Sequence, residues 1–261
     1  ESSFVLDGEL VVWDFERERV RSFSNLQKRL GRKKVSQRLE KDLPIIFMAY
    51  DLLEWKGKAL VDSSTDARRV QLCRCIAEIN ASQLRVSPVL DSKLTWESVK
   101  RERKRSRERG VEGLMLKAKS AVYGVGRKKG LWWKWKVEPY RVDAVLVYAQ
   151  QGHGRRSGIY SDYTFSIWKE GALVPFCKAY SGLDDAKMQR VDQWIRAHTV
   201  AKHGPVRVVD PSLVFEIAFE GIQESKRHKS GIAVRFPRIA RWREDKTAEE
   251  ADSLDTVKVL L

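Results

Sequence analysis

The first half of the chain alternates apolar and polar positions in a way that predicts strands separated by helices. Residues 4–13 repeat with period two, which predicts a strand. A second apolar run at 45–53 predicts another strand, and residues 112–117 and 131–137 predict two short ones. Helical character is expected within the basic stretch 23–41 and at 66–79 and 95–109. On the first strand, one predicted face holds Val5, Asp7, Glu9 and Val11, and the other holds Phe4, Leu6, Leu10 and Val12.

The pattern changes after Pro139, where short strands alternate with turns. Period-two alternation at 163–168 and 215–220 predicts strands, and the spacing of Met188, Val191 and Ile195 predicts a helix near 184–198. Strands interrupted by one helix in a segment of this size suggest a small β-barrel of the OB type, a fold that commonly binds nucleic acid. We therefore predict an α+β protein with two domains, 1–139 and 140–261, joined at the hinge Glu138-Pro139.

Composition narrows the class of protein. The 261 residues are 43% hydrophobic, which is enough for a core, and no apolar stretch reaches the roughly 18 residues of a membrane span. The net charge of +15 favours a polyanionic partner such as nucleic acid. Three cysteines offer neither a disulfide framework nor a zinc pattern, so we expect reduced thiols in a cytoplasmic protein. We also expect a nucleoid-associated monomer without membrane contact.

Three blocks carry residues whose chemistry suits a nucleotide or a metal. Residues 6–10 place Asp7 and Glu9 on the same side of a strand, where two carboxylates suit a metal or a ribose. Residues 47–53 include Tyr50, an aromatic suited to stacking on a purine, and residues 112–117 begin with Glu112, which suits a divalent cation. Each block taken alone also fits an ordinary strand or a core aromatic.

A fourth block, residues 132–136, has the sequence Trp-Trp-Lys-Trp-Lys. Period two places Lys134 and Lys136 on one face and Trp133 and Trp135 on the other. Neighbouring ammonium groups repel each other unless an anion lies between them, and a phosphate is the obvious candidate. The alternative without a functional role is a solvated strand face over a tryptophan core.

Taken in order, these blocks resemble motifs III, IIIa, IV and V of ATP-dependent DNA ligases. The run Arg-Phe-Pro-Arg at 235–238 and the run Arg-Glu-Asp-Lys at 243–246 resemble motif VI of the same family. The resemblance covers nearly all of the chain. Residues 221–246, with Arg-His-Lys-Ser-Gly at 227–231, look especially like bacterial ligases of the Lhr-associated or cisplatin-damage-response type. It implies a partial nucleotidyltransferase (ATP-grasp-like adenylation) domain followed by the OB-fold barrel.

The resemblance also implies a role for each matched residue. It places Glu9 beside the ribose or the metal, Tyr50 on the adenine, and Glu112 on a catalytic Mg²⁺. ATP would be the AMP donor and nicked duplex DNA the partner. The implied phosphate contacts are Lys134 and Lys136 to the α-phosphate of AMP and Arg127 or Lys128 just upstream. The residues implied to orient the leaving pyrophosphate are Arg243, Asp245 and Lys246.

The family's nucleophile is absent from this sequence. Family members attack the α-phosphorus of ATP with the lysine of a Lys-x-Asp-Gly motif upstream of motif III. No lysine of this chain begins such a motif, and its Asp-Gly pair, Asp7-Gly8, belongs to motif III. The chain is therefore expected to be the C-terminal part of a ligase, unable to react with ATP unaided.

Two other functions remain open from the sequence. An mRNA capping guanylyltransferase shares the covalent lysine chemistry and an OB domain, although the runs at 235–238 and 243–246 favour a ligase. A non-catalytic nucleic-acid-binding remnant of a ligase fits the missing lysine. Whether the chain belongs to an active ligase or to such a remnant, the basic helix predicted at 95–109 favours salt-dependent DNA binding with little sequence preference.

Overall fold

The computed structural model describes residues 3–91, 93–126 and 128–261. The chain divides into two compact units, Glu1–Val137 and Glu138–Leu261. The assignment of the two predicted domains to a nucleotidyltransferase and an OB barrel stays a prediction at this level. No described helix is both long enough and apolar enough to cross a membrane.

The first unit is built on an antiparallel sheet with a helix against it. Strands β1 and β3 form its centre, β2 and β4 flank them, and β5 pairs in parallel with β3; β6 and β7 form a separate hairpin. The strands are β1 (Phe4–Asp14), β2 (Arg19–Val20), β3 (Ile45–Trp55), β4 (Lys58–Ala59), β5 (Leu84–Val86), β6 (Gly113–Lys117) and β7 (Trp132–Lys136). The helices are α1 (Phe23–Gln27), α2 (Gln37–Asp42), α3 (Thr65–Ile79) and α4 (Trp96–Lys104).

The predicted elements of this unit are present, with two corrections. The basic stretch 23–41 forms two short helices, and α4 ends at Lys104 because the chain turns there and buries Ser106. On β1, Val12 is buried, whereas Leu10, which the alternation places on the same face, is 56% exposed. Helix α3 packs on β3 and β5, and α1 contacts β1.

A small core holds β3 against α3. Ala49 and Leu52 of the strand and Leu72 and Cys75 of the helix are fully buried in one cluster. The helix begins with Ser64 as its N-cap, whose hydroxyl accepts a hydrogen bond from the amide of Ala67. This packing fixes β3, the strand that carries Tyr50.

The second unit is a curled antiparallel sheet around a larger core. Strand β8 pairs with β9 on one edge and with both β13 and β12 on the other, which divides and curls the sheet. Its strands are β8 (Tyr140–Gln151), β9 (Tyr160–Lys169), β10 (Ala172–Ala179), β11 (Thr199–His203), β12 (Val206–Val209), β13 (Val214–Phe219), β14 (Gly221–Glu224), β15 (Ile232–Arg235) and β16 (Arg238–Trp242). Its helices are α5 (Asp185–Ala197) and α6 (Leu254–Lys258).

The sequence periodicities of this unit correspond to observed elements. The alternating segment 163–168 lies on β9, residues 215–219 of the second segment lie on β13, and the predicted helix is α5. Met188, Val191 and Ile195 lie on the buried face of α5, as their spacing predicts. Aromatic side chains fill the barrel-like interior, where Phe165 contacts Phe215 and Phe176 contacts Phe219.

Candidate functional site

Tyr50 lies at an irregularity in the pairing of β1 with β3. Asp7 pairs with Asp51 and Gly8 with Ala49, so Tyr50 is an extra residue between two ladder positions. A bulge of this kind bends a strand and redirects a side chain, and bulges are frequent near functional sites. The half-buried Tyr50 is therefore displaced from the regular alternation of its strand.

Gly8 allows the two strands to approach at this bulge. A Cβ atom at Gly8 would lie 2.5 Å from the carbonyl oxygen of Met48 and 2.6 Å from the ring of Phe47. Neither the backbone nor the packed ring can give that much space. The Asp-Gly pair of the first motif thus places a carboxylate beside a position where only glycine fits.

Asp7 is held by a residue far along the chain. The hydroxyl of Tyr123 donates a 2.7 Å hydrogen bond to Oδ2 of Asp7. Burial, together with the Asp7 carboxylate, raises the pKa of Tyr50 to about 12, and the same two causes raise the pKa of Tyr123 to about 12. The Glu9 carboxylate contributes to the same rise in the pKa of Tyr50.

Lys117 lies against the ring of Tyr50. Its Nζ is 4.9 Å from the centroid of that ring and 3.8 Å from the centroid of Trp132, and it donates to the carbonyl of Tyr50 at 3.3 Å. Burial lowers the pKa of Lys117. Sequence reasoning quoted this lysine within its motif but gave it no role.

A buried ion pair supports this site from behind. Nε and Nη2 of Arg68 donate to the two carboxylate oxygens of Asp51 at 2.7 and 2.9 Å. Arg68 also donates to the carbonyl of Ala121, two residues before Tyr123. Asp51 accepts the amide of Leu52 as well, so its carboxylate is well satisfied. The sequence pattern gave no sign of this pair.

The predicted lysines continue the face that Lys117 begins. Lys117 pairs with Trp132 across the hairpin, so by strand alternation Trp132, Lys134 and Lys136 share that face of β7. The opposite face packs on α4, where Trp135 meets Trp96 edge-on and Arg103 lies 5.0 Å from the Trp135 ring. The predicted alternation of lysines and tryptophans is therefore present.

Glu112 and Lys136 form an ion pair at 2.7 Å. Gly113 makes this approach possible, because a Cβ atom there would lie 2.4 Å from the carbonyl oxygen of Trp135. Lys134 is exposed, and no carboxylate of the described residues lies within ion-pair distance of it. Lys134 is therefore available to an anion, whereas Lys136 is paired with Glu112, the predicted metal ligand.

The carboxylates suit a magnesium ion that is completed by substrate. Among the described residues, no three His, Cys, Asp or Glu side chains are grouped so that they could hold a metal. Mg²⁺ commonly takes one or two carboxylates together with substrate phosphates and water. Glu112 is half-exposed and paired with Lys136, and Glu9 is exposed, so the metal-ligand role of these two carboxylates stays a prediction.

The second unit collects its predicted residues around a carboxylate that sequence reasoning missed. Asp143 on β8 is almost buried, and its Oδ2 accepts from Nη1 of Arg243 at 2.7 Å and from Nζ of Lys246 at 2.8 Å. Asp245 binds the other side of the Arg243 guanidinium at 2.8 Å. Arg243, Asp245 and Lys246 are thus brought together, with Asp143 as their centre.

The charges of this cluster stabilise one another. The hydrogen bonds with Asp245 raise the pKa of Arg243, and the same guanidinium lowers the pKa of Asp245. The hydrogen bond to Asp143 raises the pKa of Lys246. The predicted phosphate ligand Arg127 lies outside the described residues, and its neighbour Lys128 lines a small recess beside Tyr123.

Comparison with known proteins gives the same family over both units. Residues 1–136 match the ATP dependent DNA ligase domain, and residues 156–246 match the ATP dependent DNA ligase C terminal region. A probable DNA ligase of Koribacter versatilis (strain Ellin345) is 38% identical over 275 residues, covering 98% of this chain and 47% of that protein. The chain spans about half the length, or less, of the curated relatives it matches.

Solved structures share the fold at lower sequence identity. "Pmar-Lig_PreS3" superimposes with a TM-score of 0.66 at 20% identity, covering 92% of this chain and 51% of that one. "DNA binding with a minimal scaffold: Structure-function analysis of Lig E DNA ligases" superimposes with a TM-score of 0.60 at 20% identity, covering 91% and 76%. The mixed α/β architecture is thus that of DNA ligase domains, and the resemblance read from the motifs is confirmed; the narrower Lhr-associated or cisplatin-type likeness stays a prediction.

Proposed function

The chain belongs to the ATP-dependent DNA ligase family, and from that premise we propose that the whole protein seals nicks in duplex DNA with ATP as the AMP donor. One observation carries the proposal for this chain. Tyr50 lies against Lys117 and Trp132, and the strand face that begins at Trp132 continues through Lys134 and Lys136. An aromatic followed by a row of cations matches a nucleotide, with a base at one end and phosphates at the other.

We assign the two units accordingly. Residues 1–139 form a partial nucleotidyltransferase domain, and residues 140–261 form an OB-fold barrel. The curled sheet around β8 and the single long helix α5 support the second assignment. The paired strands β1 and β3, which carry Glu9 and Tyr50, support the first.

The roles in the nucleotide site follow from the chemistry of each group. Tyr50 stacks on the adenine; its ring lies against Lys117, and the Asp7 carboxylate contributes to its raised pKa. Lys134 and Lys136 bind the α-phosphate, Arg127 contributes to the same charge, and Glu9 lies by the ribose or the metal. Glu112 and Glu9 would hold Mg²⁺, which supplies positive charge to the phosphate oxygens.

The reaction proceeds by three displacements at phosphorus. A lysine nitrogen attacks the α-phosphorus of ATP and pyrophosphate leaves. The 5′-phosphate of the nick then takes the AMP and frees the lysine, and the 3′-hydroxyl finally displaces AMP to form the phosphodiester. Each displacement increases negative charge on phosphate oxygens, which Lys134 and Lys136 stabilise where water is excluded.

The second unit contributes to the first displacement. Arg243, Asp245 and Lys246 orient the leaving pyrophosphate in this proposal. Asp143 holds the two cations ready in the absence of substrate, so pyrophosphate must compete with that carboxylate for them. Release of pyrophosphate is then accompanied by return of both cations to Asp143.

Sealing of a nicked duplex with a labelled 5′-phosphate by the whole protein tests the proposal. Removing one charge-stabilising donor commonly costs about a hundredfold or more in rate, and we expect this for Lys134→Ala. The control is Lys58→Ala, which removes an exposed lysine from β4. Equal rates for the two variants would contradict the assignment of Lys134, and a protein that binds duplex without sealing would be a non-catalytic relative.

The 261-residue chain alone allows a second test. No lysine in its sequence begins Lys-x-Asp-Gly, so incubation with labelled ATP and magnesium should give no covalent AMP adduct. The readout is a denaturing gel. A labelled band that survives denaturation would show that a different lysine acts as the nucleophile.

A further inference from the structure

The segment between β6 and β7 carries a tyrosine to which the proposed reaction gives no role. The hydroxyl of Tyr123 donates a 2.7 Å hydrogen bond to Oδ2 of Asp7, which lies 116 positions away in the chain. The bond brings this segment onto β1, the strand that pairs with the Tyr50 strand β3. Tyr123 therefore reaches the proposed nucleotide site through a carboxylate of the protein.

The backbone around Tyr123 is attached to helix α3 and to the turn before it. The carbonyl of Ala121 accepts from three donors: the amide of Thr65 at 2.8 Å, Oγ1 of Thr65 at 3.0 Å and Nη1 of Arg68 at 3.2 Å. The amide of Tyr123 donates to the carbonyl of Val61 at 2.8 Å. Because Arg68 is fully buried, the attachment is anchored in the interior of the first unit.

The ring of Tyr123 is also held on more than one side. It meets Trp132 edge-on, with 5.6 Å between the ring centroids, and the guanidinium of Arg68 lies 5.6 Å from its own centroid. Trp132 begins the lysine-bearing face of β7 and contacts Lys117. A ring with these contacts has little freedom to move its hydroxyl, so Asp7 is bound by a preorganised donor.

Asp7 carries the wrong charge for a site that would bind phosphates, so its placement matters. Glu112 shows what a carboxylate does beside these cations, because it pairs with Lys136 at 2.7 Å. Burial lowers the pKa of Lys117, and the charges of Asp51 and Asp7 oppose this shift, so the charge of Asp7 reaches that lysine. Within the described residues, Asp7 nevertheless forms no ion pair. A tyrosine hydroxyl is a neutral donor, so it binds the carboxylate without using a cation.

We infer that Tyr123 is a positioning residue of the proposed nucleotide site, because its hydroxyl keeps the Asp7 carboxylate from pairing with the lysines that would bind phosphates. This inference rests on the proposed function. Without the hydroxyl, Asp7 is free to turn toward a lysine of the site, where its charge opposes an approaching polyanion. Tyr123 thereby favours binding of the phosphate groups, and stacking of the base on Tyr50 does not depend on it.

Equilibrium binding of labelled ATP to the 261-residue chain tests this inference, with adenosine as the competitor in a second series. The variant is Tyr123→Phe, which retains the ring against Trp132 and removes only the hydroxyl. Loss of a hydrogen bond to a charged group commonly corresponds to a change of about tenfold or more, and we expect that loss in the affinity for ATP. Affinity for adenosine should stay unchanged, because adenosine carries no phosphate. The control is Tyr180→Phe, which removes the hydroxyl of a tyrosine that is 69% exposed.

Asp7→Ala completes a double-mutant cycle with Tyr123→Phe. If Tyr123 acts through Asp7, the doubly substituted chain should bind ATP as the Asp7→Ala chain does, because no carboxylate then remains to be held. A loss from Tyr123→Phe that persists in the Asp7→Ala background would overturn the inference. Equal losses of affinity for ATP and adenosine would also overturn it, since Tyr123 would then support the site only as part of its structure.

Failure of the proposed function gives a different result. Tyr50→Ala should weaken the binding of ATP and of adenosine alike if Tyr50 stacks on the base. If the parent chain and Tyr50→Ala have the same affinity for ATP, the nucleotide site is wrongly assigned and the inference is wrong with it. If Tyr50→Ala loses affinity and Tyr123→Phe binds ATP as the parent chain does, the nucleotide site stands and only the positioning role of Tyr123 is wrong.

Discussion

Lys117 in the first unit and Lys246 in the second both approach an aspartate, yet their pKa values move in opposite directions. Burial lowers the pKa of Lys117, whereas a hydrogen bond to Asp143 raises the pKa of Lys246. Nζ of Lys117 lies 3.7 Å from Asp51, and Nζ of Lys246 lies 2.8 Å from Asp143. The difference between these two distances follows from what each carboxylate already binds.

Asp51 is already paired with Arg68, which limits its contact with Lys117. The guanidinium takes both carboxylate oxygens, so Lys117 turns to the rings of Tyr50 and Trp132. Asp143 has no such exclusive partner. One of its oxygens serves two cations, while within the described residues its Oδ1 has no hydrogen-bond partner.

This contrast suggests two ways of keeping cations near a reaction. In the first unit, Arg68 neutralises the buried Asp51, which leaves Lys117 desolvated beside the proposed adenine site. In the second, a nearly buried carboxylate holds Arg243 and Lys246 until a stronger anion arrives. A triphosphate carries more charge than a single aspartate, so it can take these cations over.

Replacing Arg68 should have the largest effect. Arg68→Met leaves Asp51 charged and buried, and breaking a buried pair from one side costs about 3–5 kcal/mol. We expect a loss of about 4 kcal/mol in the unfolding free energy of the first unit. Urea unfolding followed by circular dichroism measures the loss, and hydrogen exchange assigns it to the unit.

The control for this change is Lys56→Met, which breaks the half-exposed pair of Lys56 with Glu78. Exposed pairs contribute less than about 1 kcal/mol. A loss for Arg68→Met no larger than the control would mean that Lys117 fully replaces the guanidinium. In that case the comparison between the two lysines would fail, because Asp51 would not distinguish its partners.

Asp143→Asn should come next in size. The substitution removes the acceptor of two cations and brings their charges together, at an expected cost of about 3 kcal/mol to the second unit. Asp245→Asn is the matched control, since Asp245 is 63% exposed and Arg243 keeps Asp143. Thermal unfolding of both variants is the measurement. A larger loss for the Asp245 variant would show that the exposed carboxylate is the true centre of the cluster.

The elements that could be predicted from the sequence depend on neighbours along the chain. Alternation alone placed Lys134 and Lys136 opposite the tryptophans, since strand geometry fixes which side chains share a face. The bulge at Tyr50 depends on the register between two strands, which no single strand encodes. Asp51 meets Arg68 across 17 positions and Asp143 meets Arg243 across 100, so neither pair leaves a local periodic signal.

Tyr123→Phe should reduce the alkaline sensitivity of the first unit. The pKa values of Tyr50 and Tyr123 are raised to about 12 from the usual value of about 10. A raised pKa gives stability that is fully present below about pH 10 and is lost as the pH rises through 12. The parent chain should therefore lose unfolding free energy over this interval more steeply than the variant does.

Absorbance of tyrosinate during alkaline titration gives a direct check on the same variant. Tyr123→Phe should remove one late-titrating tyrosine, whereas Tyr180→Phe removes a side chain that is 69% exposed and should leave the late phase unchanged. An unchanged late phase in the Tyr123 variant would show that its hydroxyl is not held by Asp7. The polar environment of Tyr50 would then need another source.

Lys117→Met should have the smallest effect on stability, within about 1 kcal/mol of the parent chain. Asp51 keeps both hydrogen bonds to Arg68, so the loss of an ammonium group at 3.7 Å leaves no buried carboxylate unpaired. The methionine retains the apolar stem and can place its sulfur against the Tyr50 and Trp132 rings. Urea unfolding, compared with Lys246→Met in the second unit, is the measurement. A loss above about 2 kcal/mol for Lys117→Met would make this lysine a true counter-ion of Asp51, and the two lysines would then be held in the same way.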